Sequence, residues 1–263
     1  METSARSASE QLQLDQYNRI SDGYEKHYGD EWSRAYRREF LFAPMTRGVQ
    51  LRNVDVLEAM CGSGESTPLL LEAGARVTAL DISDLEIAKF KSRHPEATAL
   101  LGSIRSTGLP DHSREAVCVF GGLHHLHPHL MESVEEIHRI LKPGGWLLFT
   151  EPHAGSLPEI MRQIWYRVDH LFAENERGIP LQEMKAAFGD RFEFEIEHYG
   201  GSFGYLLVLN SMVFRLPWAW KRHYAPWCFR LERLLDSMLK PIQGRLPARL
   251  VSCSVSCRWR KKG

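Results

Sequence analysis

The chain has 263 residues, of which 43% are hydrophobic and 25% charged, and its 33 basic residues balance its 33 acidic ones. This length allows one substantial core, and the composition excludes disordered and fibrous proteins. The charge is uneven, because the segment from residue 212 onward holds about twelve basic residues against Glu232 and Asp236 alone.

The cysteines and the apolar windows bear on cellular location. The five cysteines are odd in number, and two fall in predicted core strands, which favours reduced thiols over a disulfide framework. The first residues contain no apolar stretch typical of a secretory signal. The most apolar window, 203–214, is shorter than the roughly 20 residues that span a bilayer. These features predict a cytoplasmic protein that at most contacts a membrane surface.

Helical and extended patterns alternate through the first 150 residues. Residues 14–45 have a helical pattern rich in Tyr and Arg. Strands are predicted at 54–59, 76–80, 98–101, 116–120 and 146–150, and helices at 66–73, 83–91 and 130–141. This alternation predicts a parallel sheet with helices on both faces and ligands beyond the carboxyl ends of its strands.

The last third follows a different pattern. Residues 192–196 and the alternating "RLVSCSVSCRW" are predicted strands, and the nearly fifty residues between 202 and 247 contain tryptophans and the helix-like "FRLERLLDSMLK". One domain with a late insertion is the simplest organisation. The predicted parts are a helical cap over 1–50, a ligand-binding core over 51–200, a helical insertion over 201–249 that shapes the acceptor site, and a final strand with a basic tail over 250–263.

The stretch "VDVLEAMCGSGEST", residues 54–67, is a strand, a glycine turn and a helix start. Gly62 and Gly64 lack side chains where a ligand must pass close to the backbone, and the helix start offers free N–H groups. A dinucleotide site has the pattern G-x-G-x-x-G, but here Thr67 stands at the third position, so that reading is weak.

The same stretch resembles the glycine-rich loop of class I S-adenosylmethionine-dependent methyltransferases, an acid followed by x-G-x-G-x-G. Glu58 matches the acid, and Gly62 and Gly64 match the second and third glycines. Met60 stands where the family usually has its first glycine, which suggests a slightly different turn and a tighter pocket for the methionine moiety. Asp81 ends the second strand, where a carboxylate can accept hydrogen bonds from both ribose hydroxyls, a geometry that NAD enzymes share.

Two more segments resemble this family, "LGSIRSTGLPDHSREAVCVFGGLHHL" and "EIHRILKPGGWLLFTEP". An acid that contacts the adenine amino group normally follows the glycine of the first segment, and Ser103 replaces it. The contact is then expected from its hydroxyl or from backbone, with Ile104 against the ring. The resemblance spans about residues 15–155. It implies S-adenosylmethionine as cofactor, S-adenosylhomocysteine as product, and a doubly wound, mostly parallel seven-stranded α/β sheet with cap helices and a late helical insertion.

The N-terminal "YNRISDGYEKHYGDEW" resembles the cap helix that many of these enzymes fold over the cofactor. Tyr17 and Tyr24 share a helix face, and an aromatic ring attracts a sulfonium cation, although ordinary core packing is the alternative. The predicted cofactor-binding residues are Tyr17, Tyr24, Glu58, Ala59, Met60, Cys61, Gly62, Gly64, Asp81, Ile82, Ser103, Ile104 and Gly121.

Candidate bases follow the fourth and fifth strands, in "GGLHHLHPH" and "TEPHAGS". His124, His125 and His153 are the predicted catalytic candidates, with packing or helix capping as the alternative for each. Four histidines in one segment suggest zinc, but the spacing lacks a fixed helical pair and a cysteine partner. No metal site is predicted.

The resemblance implies methyl transfer to a small or amphiphilic molecule, such as a secondary metabolite or a lipid-linked sugar, with oxygen the favoured atom. The insertion allows two interpretations. In one it is a lid whose apolar stripe packs on the sheet domain; the stripe is Leu231, Leu234, Leu235, Met238 and Leu239. In the other, tryptophans interleaved with Arg215, Lys221, Arg222 and Arg230 make residues 203–240 a peripheral contact for an anionic bilayer.

Nucleic acid is a disfavoured partner, because "GGLHHL" stands in place of the Asn/Asp-Pro-Pro-aromatic turn of base amino methyltransferases. An RNA methyltransferase stays open as an alternative, as do a non-catalytic cofactor-binding module at a membrane or partner and a Rossmann oxidoreductase. The sequence does not indicate an oligomeric state.

Overall fold

A computed structural model describes residues 7–166 and 176–263, except for the side chains of Asp22, Tyr24, Trp165 and Tyr166. Its strands are β1 (Asp55–Ala59), β2 (Arg76–Asp81), β3 (Thr98–Leu101), β4 (Arg114–Phe120), β5 (Leu141–Pro152), β6 (Phe192–Gly200) and β7 (Ser254–Lys261). They form one sheet in the order β3-β2-β1-β4-β5-β7-β6. The first five strands are parallel, and β7 runs antiparallel to both of its neighbours. The predicted fold class is confirmed.

The helices flank this sheet. They are α1 (Ala8–Tyr28), α2 (Glu31–Tyr36), α3 (Ala43–Thr46), α4 (Thr67–Glu72), α5 (Asp84–Arg93), α6 (Leu130–Ile140), α7 (Leu157–Tyr166), α8 (Leu181–Phe188), α9 (Lys221–Leu239) and α10 (Leu246–Val251). Short π-helical turns lie at Arg37–Phe42 and Tyr205–Leu209, and short 3-10 turns at Leu123–His125, Trp218–Trp220 and Lys240–Ile242. Among the described residues, no helix combines the length and the apolarity needed to cross a membrane.

The core lies on both faces of the sheet, as the strand pattern shows. Val117 and Val119 of β4 pack on one face with α6, whereas Ala116 and Cys118 pack on the other with Leu70 of α4. Since neighbouring residues of a strand point to opposite faces, a strand covered on both sides needs an unbroken apolar run. This explains why β4 lacks an alternating pattern.

Two strand boundaries differ from the predictions. The strand β5 starts at Leu141 and not at residue 146, because Leu141 pairs with Arg114 across a register shift and Gly144 takes a positive φ of 76°. The final strand starts at Ser254, because residues 246–251 form α10, with Pro247 in its first turn. The alternating apolar pattern continued through that helix and concealed its end.

The insertion is built around α9, which begins at Lys221, well before the predicted helix-like run. Its inner face buries Ala225, Cys228 and Phe229 against the N-terminal helices. Lys221 itself is fully buried, and its Nζ lies 2.6 Å from Oδ2 of Asp30. Lys221 therefore forms a buried ion pair with Asp30, and the prediction that it lies on a basic surface is wrong.

The predicted lid stripe does not pack as one face. Leu239 contacts the core cluster, but Leu231, Leu234 and Met238 are 37%, 57% and 64% exposed. Because the opposite face of α9 already covers the N-terminal helices, the outer residues have no described layer above them. The lid interpretation is wrong for these three residues.

Candidate functional site

A cavity of about 450 Å³ lies at the carboxyl ends of the central strands, within the roughly 300–1,000 Å³ typical of small-molecule sites. The glycine turn after β1, the end of β2 and the segment after β4 line one side of it. Residues of α1, of α7 and of segment 205–214 line the other. The cavity is therefore closed by elements distant in sequence from the strands that form its floor.

Most of the predicted site residues meet in this cavity. They are Tyr17, Glu58, Ala59, Met60, Cys61, Gly62, Asp81, Ile82, Ser103, Ile104, Gly121, His124 and His125. The side chain of Tyr24 lies outside the described part of the chain, so its predicted role stays a prediction.

The glycine turn uses left-handed backbone at Met60 (φ 56°) and Gly62 (φ 53°). This conformation costs a residue with a side chain about 1–2 kcal/mol, whereas glycine adopts it readily. Met60 thus takes the backbone that a glycine would favour, and the departure from the family pattern is absorbed as local strain. Its side chain packs against Gly122, where an added Cβ would lie 2.8 Å from the Met60 sulfur.

Asp81 lies at the tip of β2, where its carboxylate binds two backbone groups. The Gly62 amide donates to Oδ2 at 2.9 Å, and the Ser83 amide donates to Oδ1 at 3.0 Å. Each carboxylate oxygen has further lone pairs, so the same group can accept from two neighbouring hydroxyls. This is the geometry expected for a ribose.

Glu58, at the end of β1, has one satisfied and one unsatisfied oxygen. Thr67 donates to Oε2 at 2.6 Å, whereas Oε1 has no hydrogen-bond partner among the described residues. Burial raises the pKa of the Glu58 carboxyl to about 8, against the opposing effect of the Thr67 hydroxyl. In the ligand-free protein this carboxyl is mostly protonated at neutral pH, and its unsatisfied Oε1 is available for a hydrogen bond with a polar group of a ligand.

This carboxyl gives a stability prediction. A buried carboxyl whose folded pKa is about 8, against an ordinary 4.5, binds its proton more tightly in the folded state, so stability falls as pH rises between those values. We expect Glu58→Gln to be more stable than the wild type by a few kcal/mol at pH 8 and nearly equal to it at pH 4.5. Urea unfolding of the ligand-free protein across this range measures it; a gap that does not widen with pH would contradict it.

Two predicted site residues lie elsewhere. Gly64 faces α5, where an added Cβ would lie 2.5 Å from the His94 ring, so this glycine (φ 90°) is required for packing and not for ligand approach. His153 is buried outside the cavity lining, with Nδ1 3.1 Å from the Ala154 carbonyl oxygen and Nε2 3.2 Å from that of Ser252. Neither placement supports the predicted role.

His124 and Glu151 form a buried pair beside the cavity. Oε1 of Glu151 accepts from the amides of Gly122 and Leu123 at 2.8 Å, and Oε2 lies 2.7 Å from Nδ1 of His124. Burial raises the pKa of Glu151 to about 7, and burial, with His125 and Arg162 nearby, holds the pKa of His124 well below its ordinary value. A neutral His124 that donates from Nδ1 keeps Nε2 as an acceptor, the state that a general base requires.

His125 connects this pair to α1. Its Nε2 lies 2.7 Å from the Tyr17 hydroxyl, and the two rings meet edge to face at 5.2 Å. Its Nδ1 lies 3.4 Å from Oε1 of Glu176. The cap helix is thereby anchored on the face of the site that carries the candidate bases.

Within the described ranges, His124, His125 and Glu176 place their ligand-type atoms within 4.8 Å of one another. The centres of the two imidazole rings lie 3.8 Å apart, and the ring planes are tilted by 40°. The Arg162 cation is also close enough to lower the pKa of His124. The expectation that the chain has no metal site stays a prediction.

Segment 205–214 belongs to the insertion that was predicted to shape the acceptor site, and it does line the cavity. Sequence reasoning missed other lining residues, among them Glu10, Arg162 and Glu176. The sequence around Glu10 indicates a helix start and not a ligand site, since Ser7 and Glu10 form the capping box that starts α1. The others lie far in sequence from the glycine turn. No spacing rule connects them to it.

Comparison with known proteins agrees with this geometry. A family model described as "Methyltransferase domain" matches residues 57–149. A malonyl-[acyl-carrier protein] O-methyltransferase of Enterobacter lignolyticus is 30% identical over 69% of this chain and 69% of its own length. The corresponding enzyme of Serratia marcescens is 33% identical over 50% of this chain and 51% of its own. The chain spans about half the length of most of the curated relatives it matches.

Solved structures share the fold at low identity. The [4+2]-cyclase SpnF superposes with a TM-score of 0.66 at 14% identity, over 99% of both chains. An S-adenosylmethionine-dependent methyltransferase from Thermotoga maritima gives 0.59 at 15% identity, over 95% of this chain and 100% of its own. At these identities the likeness concerns the fold alone.

Proposed function

Because this chain belongs to the class I S-adenosylmethionine-dependent methyltransferases, we propose that it transfers a methyl group to an oxygen atom of a small, amphiphilic acceptor. The main support is one continuous cavity that joins the Asp81 and Glu58 carboxylates to the His124–Glu151 pair and to an apolar wall. The relatives named as O-methyltransferases support oxygen as the accepting atom.

The chain's own residues have separate tasks in this proposal. Asp81 accepts from the ribose hydroxyls, the backbone at Gly62 lets the ligand approach, and the unsatisfied Glu58 oxygen offers the ligand a hydrogen-bond partner. The bound cofactor supplies a methyl group on a positively charged sulfur, which is already activated. The protein must align the acceptor oxygen with that methyl group and exclude water, and such positioning can lower the barrier by roughly 7–11 kcal/mol.

The acceptor side of the cavity is apolar. Leu206, Leu209, Val213 and Phe214 line it from segment 205–214, opposite His124. An acceptor with a hydrocarbon or aromatic body fits such a wall, and its hydroxyl can donate to Nε2 of His124. Removal of that proton as the carbon–oxygen bond forms makes the hydroxyl an adequate nucleophile.

The test is methyl transfer by the purified chain from labelled S-adenosylmethionine to amphiphilic acceptors matched in hydrocarbon part and differing in a hydroxyl, a carboxyl or an amine. We expect transfer to an oxygen acceptor and none to the amine. Binding of S-adenosylhomocysteine without transfer to any acceptor would instead favour a non-catalytic cofactor-binding module.

The proposed acceptor class also fits an exposed apolar stripe on α9. Trp227, Leu231, Leu234 and Met238 follow one another at helical spacing and are 68%, 37%, 57% and 64% exposed. The Arg230 guanidinium lies 4.9 Å from the Trp227 ring centre. Tryptophan with neighbouring arginine is typical of helices that lie in an anionic lipid interface, so we include peripheral bilayer contact in the proposal.

A second group of exposed apolar side chains lies on α7, at the cavity. Met161 of α7 lines the cavity and is 72% exposed, and Leu157, Ile160 and Ile164 of the same helix are more than half exposed. Residues of α7 contact α10 in turn. An amphiphile in a bilayer surface would therefore meet the cavity beside apolar side chains.

Bilayer contact predicts preferential binding to anionic vesicles. We expect co-sedimentation with phosphatidylglycerol vesicles, and a loss of tenfold or more in vesicle affinity in Trp227→Ser/Leu234→Ser, because each buried apolar side chain contributes roughly 1.5–3 kcal/mol. Leu85→Ser, on α5 and 40% exposed, is the matched control and should bind as the wild type does. Equal binding of wild type and double variant would remove bilayer contact from the proposal.

A further inference from the structure

Glu10, in the first turn of α1, presents a buried carboxylate to the cavity. The Ser103 hydroxyl, just beyond β3, donates to Oε1, and the Arg105 guanidinium donates to Oε2 at 3.1 Å. The Ser7 amide also donates to Oε2, at 2.9 Å. Although burial alone raises it, hydrogen bonds from Ser103 and Ser7 bring the pKa of the Glu10 carboxyl below its ordinary value, so the group is anionic at neutral pH.

The position of the nucleobase follows from the sheet order. Asp81 at the tip of β2 marks the ribose, and the candidate base His124, in the segment after β4, lies on the other side of β2 from β3. The methyl group must face the acceptor, so the base must extend from the ribose toward β3. There the cavity is lined by Ser103 and Ile104, and by Glu10, whose carboxylate is hydrogen-bonded to Ser103.

We infer that Glu10 is the carboxylate that accepts from the exocyclic amino group of the cofactor's adenine, an inference that rests on the proposed function. Adenine offers an N–H donor at that position, and Oε1 of Glu10 keeps a lone pair beyond the one that Ser103 uses. Ser103, which has no charge of its own, holds this carboxylate in place. The acidic group that the residue after β3 lacks is thus supplied by the cap helix, from 93 residues away in sequence.

This arrangement couples adenine binding to the docking of α1 on the core. The same carboxylate that reads the base also joins α1 to Ser103 and Arg105, so a bound adenine adds a contact between the cap helix and the core. A cofactor with a 6-oxo base brings an acceptor instead of a donor toward an anionic oxygen. Glu10 therefore makes the site selective for the amino base.

The test compares the affinities of S-adenosylhomocysteine and S-inosylhomocysteine, its 6-oxo analogue, by calorimetry. A hydrogen bond to a charged group typically contributes enough for a tenfold to hundredfold difference in affinity, so we expect a preference of at least tenfold for the amino ligand in the wild type. In Glu10→Gln the preference should disappear or invert, because the amide can donate to the 6-oxo group. Glutamine keeps the capping box, so α1 is not expected to lose its start.

Two further variants make the result specific. Glu10→Gln/Ser103→Asp should recover the amino preference by placing a carboxylate on the opposite wall. Glu132→Gln removes the other carboxylate on Arg105, outside the cavity lining, and should leave the preference unchanged. If Glu10→Gln weakens both ligands equally and keeps their ratio, Glu10 only tethers the helix and the inference is overturned. If the wild type binds neither nucleoside, the proposed function itself fails.

Discussion

Replacing Asp81 by alanine is expected to weaken the binding of S-adenosylhomocysteine by a hundredfold or more. Two ribose hydroxyls that donate to a charged acceptor contribute about 1.5–3 kcal/mol each, which together corresponds to roughly a hundredfold or more in affinity. The substitution also removes the acceptor for the Gly62 and Ser83 amides, so the glycine turn loses a tie to β2. Calorimetric titration gives the affinity directly.

The control for this experiment is Asp84→Asn. Asp84 begins α5 close by in sequence, but it lies outside the cavity lining, and its Oδ1 accepts from the Leu85 amide at 2.9 Å. It tests whether the loss of a neighbouring negative charge is enough to weaken binding. Should Asp81→Ala bind within threefold of the wild type, the ribose assignment is wrong, and with it the placement of the cofactor.

Replacing Glu151 by glutamine is expected to lower kcat for a hydroxyl acceptor by about a hundredfold to a thousandfold, the scale typical of general-base catalysis. In the proposed mechanism Glu151 accepts from Nδ1 of His124, 2.7 Å away, which leaves Nε2 as the basic nitrogen. Glutamine offers one oxygen in place of two and cannot satisfy both the Gly122–Leu123 amides and His124. Cofactor affinity should change only a few-fold, since Glu151 makes no predicted cofactor contact.

The pH dependence of kcat provides a second measurement. The pKa of Glu151 is about 7, so the carboxylate that holds His124 is lost as pH falls below that value. We expect the kcat of the wild type to fall on the acidic side of about pH 7, and this limb to be absent in Glu151→Gln. His124→Asn should give a similar loss, and the double variant no further loss, because residues that act as a unit are not additive.

Glu135→Gln is the matched control for the catalytic variants, because Glu135 is an exposed residue of α6, 59% exposed at its side chain, outside the cavity lining. It should retain wild-type kcat and its acidic limb. A Glu151→Gln enzyme with kcat within threefold of the wild type would show that the His124–Glu151 pair is structural. The carboxylate would then serve as a cap for the Leu123–His125 turn.

Local patterns in the sequence are enough for the central strands and helices, from β1 to α6. Their ends lie within one or two residues of the predicted ends, because turn glycines and changes of apolar period mark each boundary. The start of β7 has no such boundary signal, and its prediction failed. The alternating apolar pattern of β7 extends back through residues 249–253, part of which lies in α10, so only the structure shows where the strand begins.

The same limit applies to the site. The positions of the glycine turn, Glu58 and Asp81 follow from spacing along the chain. Strands β1 and β2 are neighbours in the parallel sheet, so the residues at their carboxyl ends lie side by side. Gly64 could not be assigned this way: its neighbour His94 is 30 residues away, and only that contact shows that the missing side chain makes room for α5 and not for a ligand.

The sequence alone determined the fold class, through the periodicity of its strands and helices, and its resemblance to a known family implied the cofactor and the strand tips that line the cavity. The tertiary structure decided what approaches those tips from elsewhere: the Glu10 carboxylate at Ser103, the Glu151 partner of His124, the burial of Lys221 and the exposure of Trp227. The physical reason is that a contact between distant segments depends on how whole helices pack. The local sequence around a buried lysine looks the same as that around an exposed one, and the same holds for tryptophan.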